Sequence, residues 1–189
     1  MPQFFHTVGS HTYRFRDLRA LLAKATPLRS GDVLAGVAAG NAQERVAAQM
    51  ALADLPLATF LNLPVVPYES DEVTRLVIDS HNVAAFAPIR HLTVGDFRNW
   101  LLSDSVDSAT LAVVAPGITP EMAAAVSKIM RNQDLILVAK KCRVITALRN
   151  TIGLEQRLST RLQPNHPTDD TCGIAASVLE ACCTAAATR

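Results

Sequence analysis

The sequence has few aromatic residues, almost no net charge and no long apolar run. Of its 189 residues only 5% are aromatic, and 18 Lys and Arg balance 17 Asp and Glu to a formal net charge of +1. This balance gives no electrostatic reason to expect nucleic acid or an anionic membrane as a partner. No apolar run is long enough to span a bilayer, and residues 1–17 lack the apolar stretch of a secretory signal. We therefore expect a cytoplasmic protein that binds neither nucleic acid nor membrane.

The cysteines and histidines lack the spacing of a metal site. Cys142, Cys172, Cys182 and Cys183 form no C-x-x-C pair and have no histidine at ligand spacing. The five histidines are dispersed, and His166, which follows a predicted strand, has no partner acid in view. The sequence therefore predicts reduced thiols and no metal.

Residues 1–142 carry the signals of a helical region. The chain is 49% hydrophobic, mostly through Ala, Leu and Val, a mixture that favours closely packed helices over a β-sandwich. Capping residues predict where helices begin. The predicted helices are Tyr13–Ala25, one from Asn41 (with Glu44) to about Asp54, one from Thr93 (with Asp96), one from Thr119 to about Met130, and, after a break at Asn132–Gln133, Asp134–Lys141.

The pattern changes at Arg143. Residues 151–153 resemble a turn, residues 158–164 predict a strand that Pro164 ends, and Thr168 predicts the cap of a following helix. A strand followed by a helix is one βα unit. Barrel enzymes carry their chemistry at the carboxyl ends of such strands. We therefore predict a mainly α N-terminal region (1–142), followed at 143–180 by the first βα unit of an incomplete (β/α)8 TIM-type barrel.

Arg161 and Gln163 are the candidate binding residues. In a strand they share one face, while a buried parallel strand would ordinarily be rich in Val and Ile. Two long polar side chains there need partners or a ligand, because an unpaired buried polar group is costly. The pattern alone leaves a structural salt bridge from Arg161 and a ligand site equally open.

Several segments, in the same order, resemble the large subunit of ethanolamine ammonia-lyase, collinearly from about Phe5 to Glu180. They are residues 28–39 (LRSGDVLAGVAA), 43–48 (QERVAA), 71–76 (DEVTRL), 139–141 (AKK) and 161–165 (RLQPN). The resemblance implies a radical lyase that converts ethanolamine to acetaldehyde and ammonia with adenosylcobalamin. It also implies a barrel behind a helical region, a small subunit that completes the cobalamin site, and a homo-oligomer of large subunits. Location in the free cytosol or in a bacterial microcompartment stays open.

By motif match, Arg161 and Gln163 correspond to first-strand residues that contact substrate in that family. The resemblance assigns no catalytic residue and no metal ligand to this chain, and it places the cofactor contacts beyond the C-terminus. Gln163 can offer its amide oxygen to the substrate ammonium. Arg161 would hold the hydroxyl oxygen or a neighbouring carboxylate.

The resemblance fails after Glu180. The family's large subunit is more than twice as long, and one added base in a back-translation after the Glu180 codon restores a family-like reading of residues 181–189. We therefore expect an out-of-frame tail at 181–189 and a truncated chain without lyase activity, since one strand leaves its edges unpaired and cannot close a barrel. The alternative is a non-catalytic helical interaction module that binds partner subunits.

Overall fold

The computed structural model describes residues 4–147, 151–157 and 170–186, with only the backbone for 184–186. The described residues are mainly helical, with two small antiparallel sheets. The chain divides into two compact units, Met1–Arg143 and Val144–Arg189. Among the described residues, no helix is both long and apolar enough to cross a bilayer.

The helices of the first unit are short and are joined by loops and by two 3₁₀ turns, Tyr68–Ser70 and Ala115–Gly117. In chain order they are α1 (Leu18–Ala25), α2 (Ser30–Leu34), α3 (Ala42–Ala53), α4 (Thr59–Asn62), α5 (Glu72–Asp79), α6 (Val83–Phe86), α7 (Val94–Leu102), α8 (Ser108–Val114), α9 (Pro120–Lys128) and α10 (Asn132–Lys141).

A β-hairpin precedes these helices. Strands β1 (Phe4–Val8) and β2 (His11–Phe15) pair antiparallel, and Phe4 and Phe15 lie opposite each other and are both buried. The prediction that a helix begins at Tyr13 was therefore wrong, since residues 13–15 belong to β2. Tyr and Phe favour strands, and pairing with β1 overrides the helical spacing.

Local capping fixes the starts of the main helices. Asp17 Oδ1 accepts the Ala20 N–H at 2.7 Å to begin α1, and Asn41 Oδ1 accepts the Glu44 N–H at 2.8 Å to begin α3. At α7 the box is reciprocal, because Thr93 Oγ1 accepts the Asp96 N–H while the Asp96 carboxylate accepts the Thr93 N–H. The predicted starts at Asn41 and Thr93 are confirmed.

The core of the first unit forms where α1, α3 and the hairpin meet. Helix α3 buries Ala47, Ala48 and Ala51, whose small side chains let neighbouring elements approach closely. Leu21, Leu52, Leu57 and Met122 are fully enclosed. Truncation of such a side chain to Ala typically costs about 2–5 kcal/mol of stability.

Helices α9 and α10 follow the predicted order with shifted boundaries. Thr119 caps α9 as predicted, with Pro120 in the first turn, but the helix ends at Lys128 rather than Met130. The break lies at residues 129–131, so Asn132 and Gln133 begin α10 instead of interrupting it. The Asp134 carboxylate accepts the Arg131 N–H at 3.1 Å, and this bond fixes the earlier start.

The second unit contains a small hairpin and a long helix. Strands β3 (Thr146–Ala147) and β4 (Thr151–Ile152) pair antiparallel, so the predicted turn at 151–153 is a strand end followed by a bend at Gly153. Helix α11 (Thr171–Ala186) runs through residues 181–186 without a break. The described residues close no barrel, and the predicted strand at 158–164 lies outside them.

Candidate functional site

The candidate site residues Arg161 and Gln163 lie outside the described residues, as do His166 and Thr168. The structure describes what flanks them, namely the segment up to Arg157 and the helix that begins at Thr171. The role of these side chains therefore stays a prediction from sequence.

On the amino-terminal flank, a glycine fixes the backbone after β4. Gly153 has φ +94°, a left-handed conformation that side chains disfavour. A Cβ at this position would also overlap the carbonyl oxygen of Val144. The hairpin that leads toward the candidate strand therefore requires glycine here.

On the carboxyl-terminal flank, Asp170 begins helix α11. Its Oδ2 accepts the Gly173 N–H at 2.7 Å, and its carbonyl accepts the Ile174 N–H at 2.9 Å. The predicted cap, Thr168, is replaced by an acid two residues later. The aspartate also suits this position electrostatically, because its charge lies at the positive end of the helix dipole.

In the first unit, the carboxylate of Asp134 binds two arginines, Arg98 and Arg131. These partners were not predicted from the sequence. The Asp134 side chain accepts Arg98 Nη2 at 2.5 Å and Arg131 Nη2 at 3.3 Å, and the residue is only 4% exposed. Hydrogen bonds from Arg98 and from the Arg131 N–H lower the pKa of Asp134 from 3.8 to about 2. Asp134 is therefore ionised and saturated at neutral pH, which suits a structural tie between α7 and α10 rather than a general base.

A cleft of about 290 Å³ lies beside this ion pair, lined by Gln49, Met50, Ala53, Gly95, Arg98, Asn99 and Ile129. Among the described residues, the Arg98 Nε is buried without a hydrogen-bond partner. Because that atom has almost no accessible surface, a molecule in the cleft cannot reach it in this conformation. The cleft therefore offers no built anion site.

Two half-buried polar side chains, Lys141 and Gln49, tie helix ends together. Lys141 Nζ donates to the carbonyls of Leu101 at 3.0 Å and Ser103 at 2.6 Å, which satisfies the end of α7. Gln49 Nε2 donates to the carbonyls of Ala25 and Lys128, so that α3 joins the ends of α1 and α9. These bonds give the side chains of Lys141 and Gln49 partners within the fold itself.

Two of the described histidines, His81 and His11, have packing partners within the fold. His81 Nε2 lies 3.1 Å from the Gly117 carbonyl, and its ring packs edge-on against Phe86. His11 packs in the same way against Tyr13 on its own strand. In the part of the chain that the structure describes, no group of three or more His, Cys, Asp and Glu residues could hold a metal ion.

Comparison with known proteins identifies the family. The model of the ethanolamine ammonia lyase large subunit (EutB) matches residues 13–187. The chain belongs to this family. The resemblance in the sequence motifs is thereby confirmed, and it covers both compact units.

Curated members of the ethanolamine ammonia-lyase family agree with the match. The large subunits from Escherichia coli (strain K12) and Salmonella typhimurium (strain LT2) are each 45% identical to this chain over 174 residues. The aligned part is 92% of this chain and 38% of each relative, so the chain spans well under half the length of these large subunits.

Proposed function

We propose that this chain serves as part of an adenosylcobalamin-dependent ethanolamine ammonia-lyase, which converts ethanolamine to acetaldehyde and ammonia by a radical mechanism. Membership of the large-subunit family across residues 13–187 carries this proposal. Because the chain spans 38% of its relatives' length, we propose that activity also requires the rest of the large subunit. The chain alone is then inactive.

In this proposal, Arg161 and Gln163 bind the substrate from the first strand of a barrel. Ethanolamine carries an ammonium and a hydroxyl group, and the Gln163 amide oxygen accepts a hydrogen bond from the ammonium. Arg161 carries a positive charge, which repels the ammonium. It therefore donates to the hydroxyl oxygen or to a neighbouring carboxylate. Because side chains alternate between the two faces of a strand, residues 161 and 163, two positions apart, would share one face, which supports this proposal.

The described residues do not fit the cofactor that the family implies. The clefts described in the first unit, of about 520 and 290 Å³, are lined by apolar, arginine and amide side chains and by the carboxylate of Asp17, and none of these lining residues is a histidine. No residue of this chain is therefore assigned to adenosylcobalamin. The proposed partners are the small subunit, which completes the cofactor site, and further large subunits, in the cytoplasm or in a bacterial microcompartment.

Kinetics in a full-length relative test the substrate site. Replacement of the residue matching Gln163 by Ala removes a hydrogen bond to a charged group, worth about 1.5–3 kcal/mol. We expect kcat/KM for ethanolamine to fall roughly 10- to 150-fold, and Arg161→Ala to lower it to a similar extent. Steady-state assays of acetaldehyde formation measure both effects.

Conservative variants provide the controls. Gln163→Glu keeps an acceptor oxygen for the ammonium, so it retains more kcat/KM than Gln163→Ala. Arg161→Lys keeps the positive charge but loses the planar guanidinium with its paired N–H donors. We therefore expect its kcat/KM to lie between those of Arg161→Ala and the parent. Unchanged kinetics in both Ala variants, with circular dichroism showing an intact fold, would remove these residues from the substrate site.

A second candidate function is a helical interaction module. The first unit has its own buried core, yet it exposes large apolar side chains such as Leu34 at 89% and Val83 at 69%. Where such side chains form a contiguous patch, they mark a binding face. Two results together would favour the module. The chain would form a stable complex with the small subunit, and supplying the missing part of the large subunit would restore no lyase activity.

A further inference from the structure

The 28–40 segment, which follows α1 and contains α2, exposes its apolar side chains. Leu34 is 89% exposed, Leu28 65% and Val33 52%. No residue of α2 is buried, and among the described elements none packs extensively on this helix. The apolar side chains of the segment therefore contribute little to the core of the first unit.

The 28–40 segment nevertheless has a defined conformation. Within it, the Asp32 carbonyl accepts the N–H groups of Val37 at 3.0 Å and Ala38 at 3.2 Å. Gly36, with φ +68°, allows the chain to turn back toward these bonds. The exposed apolar side chains therefore lie on a preformed turn.

Side chains of α1 and α3 hold the end of the segment. Lys24 Nζ donates to the Ala38 carbonyl at 2.7 Å. Glu44 lies 3.5 Å from Lys24 Nζ through one carboxylate oxygen and accepts the Gly40 N–H through the other. A surface that is already ordered loses little conformational freedom when it is covered, so this anchoring favours binding.

The 28–40 segment carries no net charge. It contains one base, Arg29, and one acid, Asp32, which gives 1 − 1 = 0. Burial lowers the pKa of the Lys128 ammonium, and the nearby Asp32 carboxylate opposes this shift, so Asp32 already interacts within the first unit. An uncharged apolar surface is typical of an obligate interface, whereas partners that meet by diffusion are commonly steered by charge.

The length of the relatives points to what covers this surface. The aligned part is 38% of each curated large subunit, so most of the large subunit has no counterpart in this chain. That remainder is joined to the first unit in one polypeptide. Covalent joining raises the effective concentration of the two surfaces, so an apolar contact forms without steering by charge.

The family-like motif at residues 28–39 agrees with such a contact. It is the longest of the motifs that resemble the family, and it lies within the family match. A motif of the family that contributes little to its own core suits a contact with another part of the family's subunit.

We propose that the 28–40 segment packs on the part of the large subunit that this chain does not contain, within the same polypeptide. Val33 and Leu34 then enter an apolar surface of that part, while the turn at Gly36 keeps its conformation. The contact rests on the proposed requirement for the rest of the large subunit, and it names the surface that meets it. Because the contact involves neither substrate nor cofactor, it is measured without lyase activity.

Hydrogen exchange followed by mass spectrometry tests the contact. One sample is this chain. The other is a chimera, the Escherichia coli large subunit in which the matching segment is replaced by this chain up to Glu180, and both are measured without the small subunit. The N–H groups of residues 35–38 bond only within the segment, so they open easily in this chain. We expect them to exchange at least about 10-fold more slowly in the chimera, which corresponds to about 1.4 kcal/mol of added protection.

Substitutions at Leu34 identify the side chain that makes the contact. Leu34→Asp should leave exchange in this chain unchanged, because the side chain is exposed there. In the chimera it should abolish the added protection, because an unpaired carboxylate is costly in an apolar contact. Leu34→Met keeps an apolar side chain, so as the matched control it should behave like the parent in both proteins. If the chimera does not fold, the same substitutions at the matching position of the E. coli large subunit provide the test.

Equal exchange of residues 35–38 in the chimera and in this chain would overturn the proposal. So would protection that appears only after the small subunit is added, or that disappears when dilution separates the large subunits, since another chain would then cover the segment. Protection that Leu34→Asp does not reduce would overturn it as well. A protected chimera without lyase activity would support this contact and count against the proposed function alone.

Discussion

At the scale of single residues, Asp134 joins parts of the first unit that are distant in sequence. Its carboxylate binds Arg98, 36 positions earlier in the chain, and also caps α10 through the Arg131 N–H. Gly117 allows two backbone segments to approach closely, because a Cβ at this position would overlap the backbone nitrogen of Phe86. The sequence indicates an acid near a helix start at Asp134, but it cannot indicate which distant arginine the acid meets.

Asp134 makes the stability of the first unit pH-dependent in acid. Its pKa is lowered to about 2 in the folded chain from an ordinary value of 3.8. A lowered pKa stabilises the fold above the unfolded-state value, and this contribution disappears as pH falls through the folded-state value. We expect Asp134→Asn to lower the urea midpoint at pH 7 and to flatten its decline between about pH 4 and pH 2.

Asp104→Asn is the matched control, since it removes an exposed carboxylate between α7 and α8. It should leave both the midpoint and its acid slope close to the parent's. If Asp134→Asn unfolds at the parent's midpoint and keeps the parent's acid slope, the ion pair does not stabilise the fold.

At the scale of elements, local chemistry determines what the sequence predicts. The caps at Asn41, Thr93 and Thr119 are confirmed, because a cap is a bond between residues three apart. The hairpin β1–β2 was missed, because strand pairing depends on a partner segment that a helical spacing does not show. The start of α10 was misplaced because asparagine and glutamine were interpreted as a break, whereas Asp134 stabilises an earlier first turn.

The Asn41 cap gives an element-scale prediction. Asn41→Ala removes the acceptor for the Glu44 N–H and should destabilise the chain by about 1 kcal/mol. Asn41→Asp retains an acceptor and adds a favourable charge at the helix start, so it should remain close to the parent. Urea unfolding followed by circular dichroism at 222 nm, the standard helix band, measures both. Equal stability of all three chains would exclude this cap as a contributor to stability.

At the scale of the whole molecule, the family is evident from the sequence, while the site is not visible in the described structure. Long collinear motifs indicate the ethanolamine ammonia-lyase large subunit, and the family match confirms it. In the first unit, helix caps and ion pairs bind the carboxylates of Asp17, Asp96 and Asp134. Arg161 and Gln163 lie outside the described residues, so their role depends on motif match and on the chemistry of a cationic substrate.

Lyase activity of a chimera tests the central claim most directly. The chimera is the E. coli large subunit in which the matching segment is replaced by this chain up to Glu180, assembled with the small subunit and adenosylcobalamin. The account predicts acetaldehyde formation from ethanolamine, and a large loss of kcat/KM when Arg161→Ala is introduced into the chimera. A folded, assembled chimera that forms no acetaldehyde, or one whose activity is indifferent to Arg161→Ala, would contradict it.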